Sequence, residues 1–256
     1  DGKPWFLFLS YNTPHSPLQA KEADLEKFSH ITNVQRRKYC AMQSCMDENV
    51  GRIIKHLKDR NEFENTVIVF LSDNGGSVEV SHAVNAPLRG GKGTFLEGGL
   101  RVPMILSWPK EISSQVYTKQ VVATDILGTL VSAAGGVAPQ SEKTKIFDTV
   151  NLIPYLKGEF NDSLPHQTLF WRMSLRASAV RDGDWKLLRP NSEFPQLYFL
   201  KDDPSELNNL IAENPEVAEN LLGKLNQWEH SLERNPAIIS TPQWSKYNSR
   251  LYDREY

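Results

Sequence analysis

The sequence has little cysteine, no long apolar run and no excess of charge. Only Cys40 and Cys45 occur among 256 residues, which excludes a disulfide scaffold, and neither belongs to a Cys-x-x-Cys metal or redox motif. They lie five positions apart in a helical pattern. Their side chains then point in different directions, which argues against a mutual bridge. No apolar stretch approaches the roughly 20 residues that cross a bilayer, so no membrane span is expected. No basic leader with a small-residue cleavage site opens the chain, and there is no starting Met. The chain reads as beginning inside something longer. The 29 Lys and Arg residues nearly balance 31 Asp and Glu, for a net charge of −2. That balance excludes a surface built to coat nucleic acid or acidic lipid. There is no internal repeat and no low-complexity segment. With 39% hydrophobic and 23% charged residues, the composition is that of a soluble globular protein of one large or two smaller domains.

Apolar runs at Trp5–Ser10, Thr66–Ser72 and Pro103–Ser107 read as strands buried on both faces, as in a parallel sheet covered by helices. Between the first two, Tyr39, Met42, Met46, Val50, Ile53 or Ile54, and Leu57 recur at helical spacing. A second amphipathic helix is expected from Thr124, with Ile126, Leu127, Leu130, Val131 and Ala134 on its apolar face and Gly135-Gly136 as its stop. This order of elements favours an α/β layer architecture. Beyond about Leu156, short runs at Thr168–Arg172, Ser178–Arg181, Trp185–Arg189 and Gln196–Leu200, separated by turn residues, predict a small antiparallel sheet. A helix follows, with Asn214 as N-cap, Pro215 at its first position and a face of Val217, Leu221, Leu222, Leu225, Trp228 and Leu232. The tail from Asn235 carries Trp244, Tyr247, Tyr252 and Tyr256 and reads as an arm over the body.

Three strand ends carry residues capable of chemistry. Asp73-Asn74-Gly75-Gly76 follows an apolar run, where ligands gather in open α/β sheets. Its carboxylate and amide oxygens are hard donors suited to Ca²⁺ or Mg²⁺, although the same residues also make an ordinary turn. Pro87 to Gly99 is glycine-rich and embeds Lys92, a pattern that suits an anion or equally a flexible surface loop. It is not a phosphate-binding loop of the Gly-x-x-x-x-Gly-Lys-Ser/Thr type. His15, between Pro14 and Pro17, has the side chain best suited to proton transfer near neutral pH, or serves only in structure.

Taken in order, Pro4–Ser10 with Pro14-His15-Ser16-Pro17-Leu18, Tyr39–Met42, Asn65–Gly76, Pro87–Thr94 and Glu97–Pro103 form a specific set. Val180–Leu187, Leu197–Leu200 and Asp203–Leu210 extend it toward the C-terminus. Together they resemble the sulfatase family, the formylglycine-dependent arylsulfatases of the alkaline phosphatase superfamily, from about Pro4 to Leu232. The resemblance implies an α/β fold: a mixed sheet flanked by helices, incomplete on its N-terminal side, plus a small antiparallel sheet with a packed helix. It places residues 1–156 in the C-terminal part of the catalytic domain, 157–234 in an α+β subdomain and 235–256 in the tail.

By the same resemblance, Asp73 and Asn74 are metal ligands on a Ca²⁺ (Mg²⁺ as the alternative), Lys92 contacts the sulfate oxygens, and His15 protonates the leaving alcohol. His82, Asn85, His166 and Arg172 are candidates to line the substrate pocket, with surface or packing roles as the alternative. Asp202-Asp203 belongs to the Asp-Pro-x-Glu signature and is not read as a metal site. The nucleophile of the family is a formylglycine made within Cys/Ser-x-Pro/Ala-x-Arg. No such pattern occurs in this sequence, and an N-terminal Asp-Asp metal pair is also absent. The expected picture is the C-terminal half of a sulfuric ester hydrolase, inactive alone, whose partner is the missing N-terminal half. Its substrate is expected to be a sulfated carbohydrate or aryl sulfate, and its compartment extracytoplasmic. A phosphodiesterase or phosphonate hydrolase of the same superfamily and a non-catalytic binder of sulfated glycans are the alternatives.

Overall fold

A computed structural model describes residues 3–137, 148–160, 163–173, 177–190 and 193–232. These fall into two units, 3–63 with 76–84, and 64–75 with 85–232. Asn161 and Asp162, the first two residues of an Asn-x-Ser glycosylation tripeptide, and the tail from Asn235 lie outside the described residues.

The first unit is built on helix α2, Val34–Asp59, flanked by α1, Glu22–Glu26, and α3, Val78–Ser81. Helix α2 starts where Asn33 accepts the Arg36 N–H at 2.9 Å. His56 and Lys58 occupy its last turn, facing the negative end of the helix dipole. Its buried residues are Ala41 and Leu57, with Tyr39, Met42, Met46, Val50, Ile53 and Ile54 half-buried beside them, the face expected from the periodicity. Cys40 and Cys45 are both free.

Trp5–Ser10 does not form the expected buried strand. Phe6 is 74% and Phe8 77% exposed, and no described strand pairs with the segment. A strand exists through its ladder to a neighbour, so apolar character alone does not make one.

In the second unit, β1, Ile68–Leu71, pairs with β2, Met104–Ser107, in an antiparallel ribbon with Ile68 opposite Ser107 and Leu71 opposite Met104. The parallel pairing suggested by their apolar character is not formed between them. A parallel return needs a crossover, usually a long helix. The chain between these strands instead contains the glycine-rich loop and short helices, including α4, Glu97–Leu100, and re-enters from the opposite end.

Helix α5 runs from Asp125 to Ala133 and stops before Gly135, whose φ is +74°. Its buried face is not the apolar one expected. Asp125, Gly128 and Thr129 face inward, while Leu127 is 51% exposed. The reason is hydrogen bonding. The Gly128 N–H donates to Thr149 Oγ1 at 2.8 Å, and Thr129 Oγ1 accepts the Leu152 N–H at 3.0 Å. The inward face is polar because it must satisfy the chain leading into α6, Ile153–Leu156.

The antiparallel subdomain forms as expected. Strands β3, Thr168–Met173, β4, Ala177–Asp182, β5, Trp185–Pro190, and β6, Gln196–Phe199, pair in sequence order. Side-chain alternation divides them between two cores. On one face, Ala177, Ala179, Leu188, Tyr198 and Leu200 pack with Phe95 and Leu96. On the other, Val180, Leu187 and Leu197 meet Ala218, Leu221 and Leu225 of α7, Pro215–Ser231. Phe170 stacks on Trp228 with ring centroids 5.0 Å apart, worth about 0.5–1.5 kcal/mol beyond area burial. Asn214 occupies the N-cap position, but its side chain makes no capping bond. Its amide donates instead to Leu210 O at 3.2 Å, and Pro215 leaves no N–H to satisfy at the first helical position.

Candidate active site

Strand β1 delivers Ser72, Asp73, Asn74 and Gly75 to its carboxyl end. Ser72 Oγ donates to Asn74 O at 2.8 Å and Asn74 Nδ2 donates to Gly75 O at 3.0 Å. Asp73 is exposed. Asn74 is half-buried.

Gly75 is where this turn meets the rest of the site. Its N–H donates to Gly99 O at 3.0 Å, and a Cβ on Gly75 would lie 1.7 Å from Gly98 O. Added Cβ atoms on Gly98 and Gly99 would come within 2.5 Å of Arg89 O and 2.4 Å of Thr94 O. Only residues without side chains permit this backbone-on-backbone stack. It brings the Asp73-Asn74 turn against the loop that carries Lys92. Within that loop, Gly90 and Gly93 have φ of +81° and +90°, Thr94 Oγ1 donates to Gly91 O at 2.9 Å, and Lys92 itself is exposed.

Asn85 supports the same loop, with Nδ2 donating to Gly90 O at 2.9 Å. His166 is held by Asp125, whose two carboxylate oxygens both lie 2.9 Å from His166 Nε2. The same carboxylate accepts the Val122 and Val150 N–H groups, each at 2.9 Å. Arg172 is exposed on β3. His15 and His82 belong to the first unit. His15 is exposed, with Nδ1 2.8 Å from Ser16 O. His82 has a left-handed φ of +51° and its carbonyl accepts from Arg36.

Sequence reasoning missed a buried charge cluster beneath the loop. Lys186 Nζ lies 2.8 Å from Glu97 Oε1 and 2.8 Å from Glu206 Oε1, and its side chain is fully buried. Arg181 approaches Glu97 Oε2 at 3.8 Å. Burial pushes the Glu206 carboxyl above its ordinary range, opposed by the Lys186 charge. Ser205 Oγ donates to Pro87 O at 2.6 Å, and Arg89 donates to Tyr198 OH at 3.1 Å. The available signal was Lys186 inside the apolar strand Trp185–Leu188, because an inward lysine requires a buried partner.

Asp73 and Asn74 suit Ca²⁺ or Mg²⁺ by donor type, but two donors fall short of the roughly six to eight oxygens that Ca²⁺ takes. Among the described residues, no three His, Cys, Asp or Glu side chains gather as a metal set. Nor is any described helix long and apolar enough to cross a membrane.

Comparison with known proteins gives this arrangement its context. The Sulfatase family model matches residues 1–137, and a model for the C-terminal part of N-sulphoglucosamine sulphohydrolase matches 91–231. Arylsulfatase J of Mus musculus is 30% identical over 272 residues, which take in 88% of this chain and 45% of that protein. A sulfatase of Formosa agariphila is 32% identical over 88% of this chain and 46% of its own length. The crystal structure of Ps i-CgsB in complex with k-i-k-neocarrahexaose superposes with a TM-score of 0.83 at 32% identity, covering 98% of this chain and 55% of that one. The fold alone is shared with the phosphonate monoester hydrolase of Agrobacterium radiobacter, at 24% identity and a TM-score of 0.61, over 81% of this chain and 44% of that one. The chain spans about half the length of the curated relatives it matches. With ordered motifs and matching folds over nearly its whole length, the chain belongs to the sulfatase family.

Proposed function

We propose that the chain forms part of a hydrolase of sulfate esters, acting on a sulfated carbohydrate. The observation that carries the reading is the main-chain contact at Gly75, which joins the Asp73-Asn74 turn to the end of the loop bearing the exposed Lys92, within a chain of the sulfatase family. A sulfate ester carries its charge on non-bridging oxygens, and its cleavage requires that charge to be held by cations. Asp73 and Asn74 would contribute to holding Ca²⁺, with Mg²⁺ the alternative. A bound divalent ion supplies a Lewis acid to the sulfate oxygens. Lys92 contributes a second positive charge on a loop that costs nothing to organise at the moment of reaction. His15 is the candidate to give a proton to the departing alcohol. The nucleophile, a formylglycine by family resemblance, is supplied from outside this chain, which is inactive alone on this reading.

His82, Asn85, His166 and Arg172 are the candidates for sugar contact. Arg172 is exposed on β3, which suits contact with an anionic sugar, whereas the Asp125 contact favours an orienting part for His166. The neocarrahexaose in the neighbouring structure supports a carbohydrate over a simple aryl ester. Such an enzyme works outside the cytoplasm. A phosphonate or phosphodiester hydrolase is the second reading, favoured only by the shared fold of the phosphonate monoester hydrolase.

The test is turnover of aryl sulfate and aryl phosphonate by the whole protein and its Lys92→Ala variant. A preference for sulfate that falls by orders of magnitude in the variant supports the reading. Unchanged turnover would remove Lys92 from it, and a preference for phosphonate would favour the second.

A further inference from the structure

The loop bearing Lys92 is pinned from below by residues distant in sequence. At its start, Ser205 Oγ donates to Pro87 O at 2.6 Å, and the Arg89 guanidinium lies 5.6 Å from the Tyr198 ring centroid while donating to its hydroxyl. At its end, the Glu97 N–H donates to Glu206 Oε2 at 2.6 Å, and the Glu97 side chain meets Lys186. Lys186 projects from the same face of β5 as Leu188, toward Phe95 and Leu96. Glu206 reaches the loop from a left-handed backbone with φ +56°, a conformation that a non-glycine residue holds only where its surroundings enforce it. Immediately after Glu97 come Gly98 and Gly99, the residues that touch Gly75 beside Asp73 and Asn74.

A buried trio of charges is an expensive means of stability alone, since apolar residues of similar size often serve as well or better. Here the trio joins three separate segments at the point where the Lys92 loop turns back toward the Asp73-Asn74 turn. We propose that Lys186 and Glu206 are positioning residues, which hold Glu97 and thereby set Lys92 in register with Asp73 and Asn74. Neither touches substrate. Their effect passes through the Glu97 backbone to the Gly98-Gly99 contact with Gly75. The part concerning turnover rests on the role proposed for Lys92, whereas the holding of the loop does not.

The experiment compares the whole protein with its Glu206→Gln variant, which keeps the shape of the side chain and removes its charge. Hydrogen exchange is followed at the Thr94, Gly98 and Gly99 amides, bonded to Gly91 O, Arg89 O and Leu96 O, and at the Leu187 amide in the middle of β5 as an internal reference. The expected result is faster exchange in the loop, unchanged exchange in the sheet, and a kcat lowered on the order of 10- to 100-fold with KM little altered. Faster loop exchange with no loss in a Lys92→Ala control supports the holding and overturns the role of Lys92 instead. Loop exchange equal to that of the unmodified protein overturns the proposal, whatever the activity. Should Glu206→Gln fail to fold, Glu206→Asp decides by the same exchange measurement. It keeps the charge but draws it back from Lys186 and the Glu97 N–H, with faster Gly98 exchange expected and unchanged exchange overturning the proposal.

Discussion

Lys186 Nζ stands midway between two carboxylates, 2.8 Å from Glu97 Oε1 and 2.8 Å from Glu206 Oε1, with all three side chains buried. Removing the central charge leaves two desolvated carboxylates facing one another. Lys186→Met is therefore expected to cost roughly 3–5 kcal/mol of stability. Adding Glu97→Gln and Glu206→Gln to it should recover much of that loss, because the stranded charges go too. Urea denaturation of the single and triple variants checks this, and an equal cost for both would show that charge is not the cause.

Gly75→Ala tests the contact between the two halves of the site. Its added Cβ would lie 1.7 Å from Gly98 O and 2.8 Å from Gly98 C, both backbone atoms with no freedom to rotate away. The strain is expected to cost about 1–3 kcal/mol and to lower turnover through displacement of the Asp73-Asn74 turn. By contrast, Gly51→Ala adds a methyl in open space on α2 and should raise stability by up to about 1 kcal/mol. Thermal melting of both variants and turnover of Gly75→Ala give the comparison. Equal behaviour would contradict the close approach.

Metal removal follows from the donor set at Asp73 and Asn74. Dialysis of the whole protein against a chelator is expected to abolish sulfate ester turnover, with recovery on adding Ca²⁺. Asp73→Ala should weaken Ca²⁺ binding while leaving the melting temperature of the metal-free protein nearly unchanged, since Asp73 is exposed. Titration calorimetry of Ca²⁺ into both proteins checks the assignment, and identical binding would remove Asp73 from the ligand set.

Glu229 provides a pH dependence. Partial burial pushes its carboxyl up, but the hydrogen bond from Ser178 Oγ at 2.5 Å and the Arg189 charge outweigh it and hold the carboxyl below its ordinary 4.5. A carboxyl whose folded value is depressed adds stability above the unfolded value and loses it as pH falls through the folded one. Glu229→Gln should therefore lower the urea midpoint at neutral pH. The difference should shrink as pH drops below 4.5. A difference independent of pH would assign the loss to packing rather than charge.

Helices α2 and α7 and the four-stranded sheet were legible because each has an apolar face that repeats at 3.6 or 2 residues, a pattern set by local geometry. Helix α5 shows where that reading stops. Its buried face is Asp125, Gly128 and Thr129, chosen by hydrogen bonds to residues 149–152 rather than by hydrophobicity. Trp5–Ser10 shows the other limit, since an apolar run specifies a strand only together with a neighbour to pair with. The chemical residues at the loop were visible as types, a carboxylate, an amide and a lysine among glycines. The cluster that holds them was not, because Glu97, Lys186 and Glu206 are separated by 89 and 20 positions and nothing local announces that they meet.

Family, local elements and the side chains available for chemistry follow from short-range pattern and ordered motifs. Which segments lie against one another follows from packing in three dimensions. The Asp73-Asn74 turn and the Lys92 loop come together through three glycines whose missing Cβ atoms let main chain touch main chain. The loop is then held by a lysine whose burial is tolerable only because two distant glutamates reach it. Packing and desolvation act on neighbours in space, and the order of residues along the chain does not reveal them.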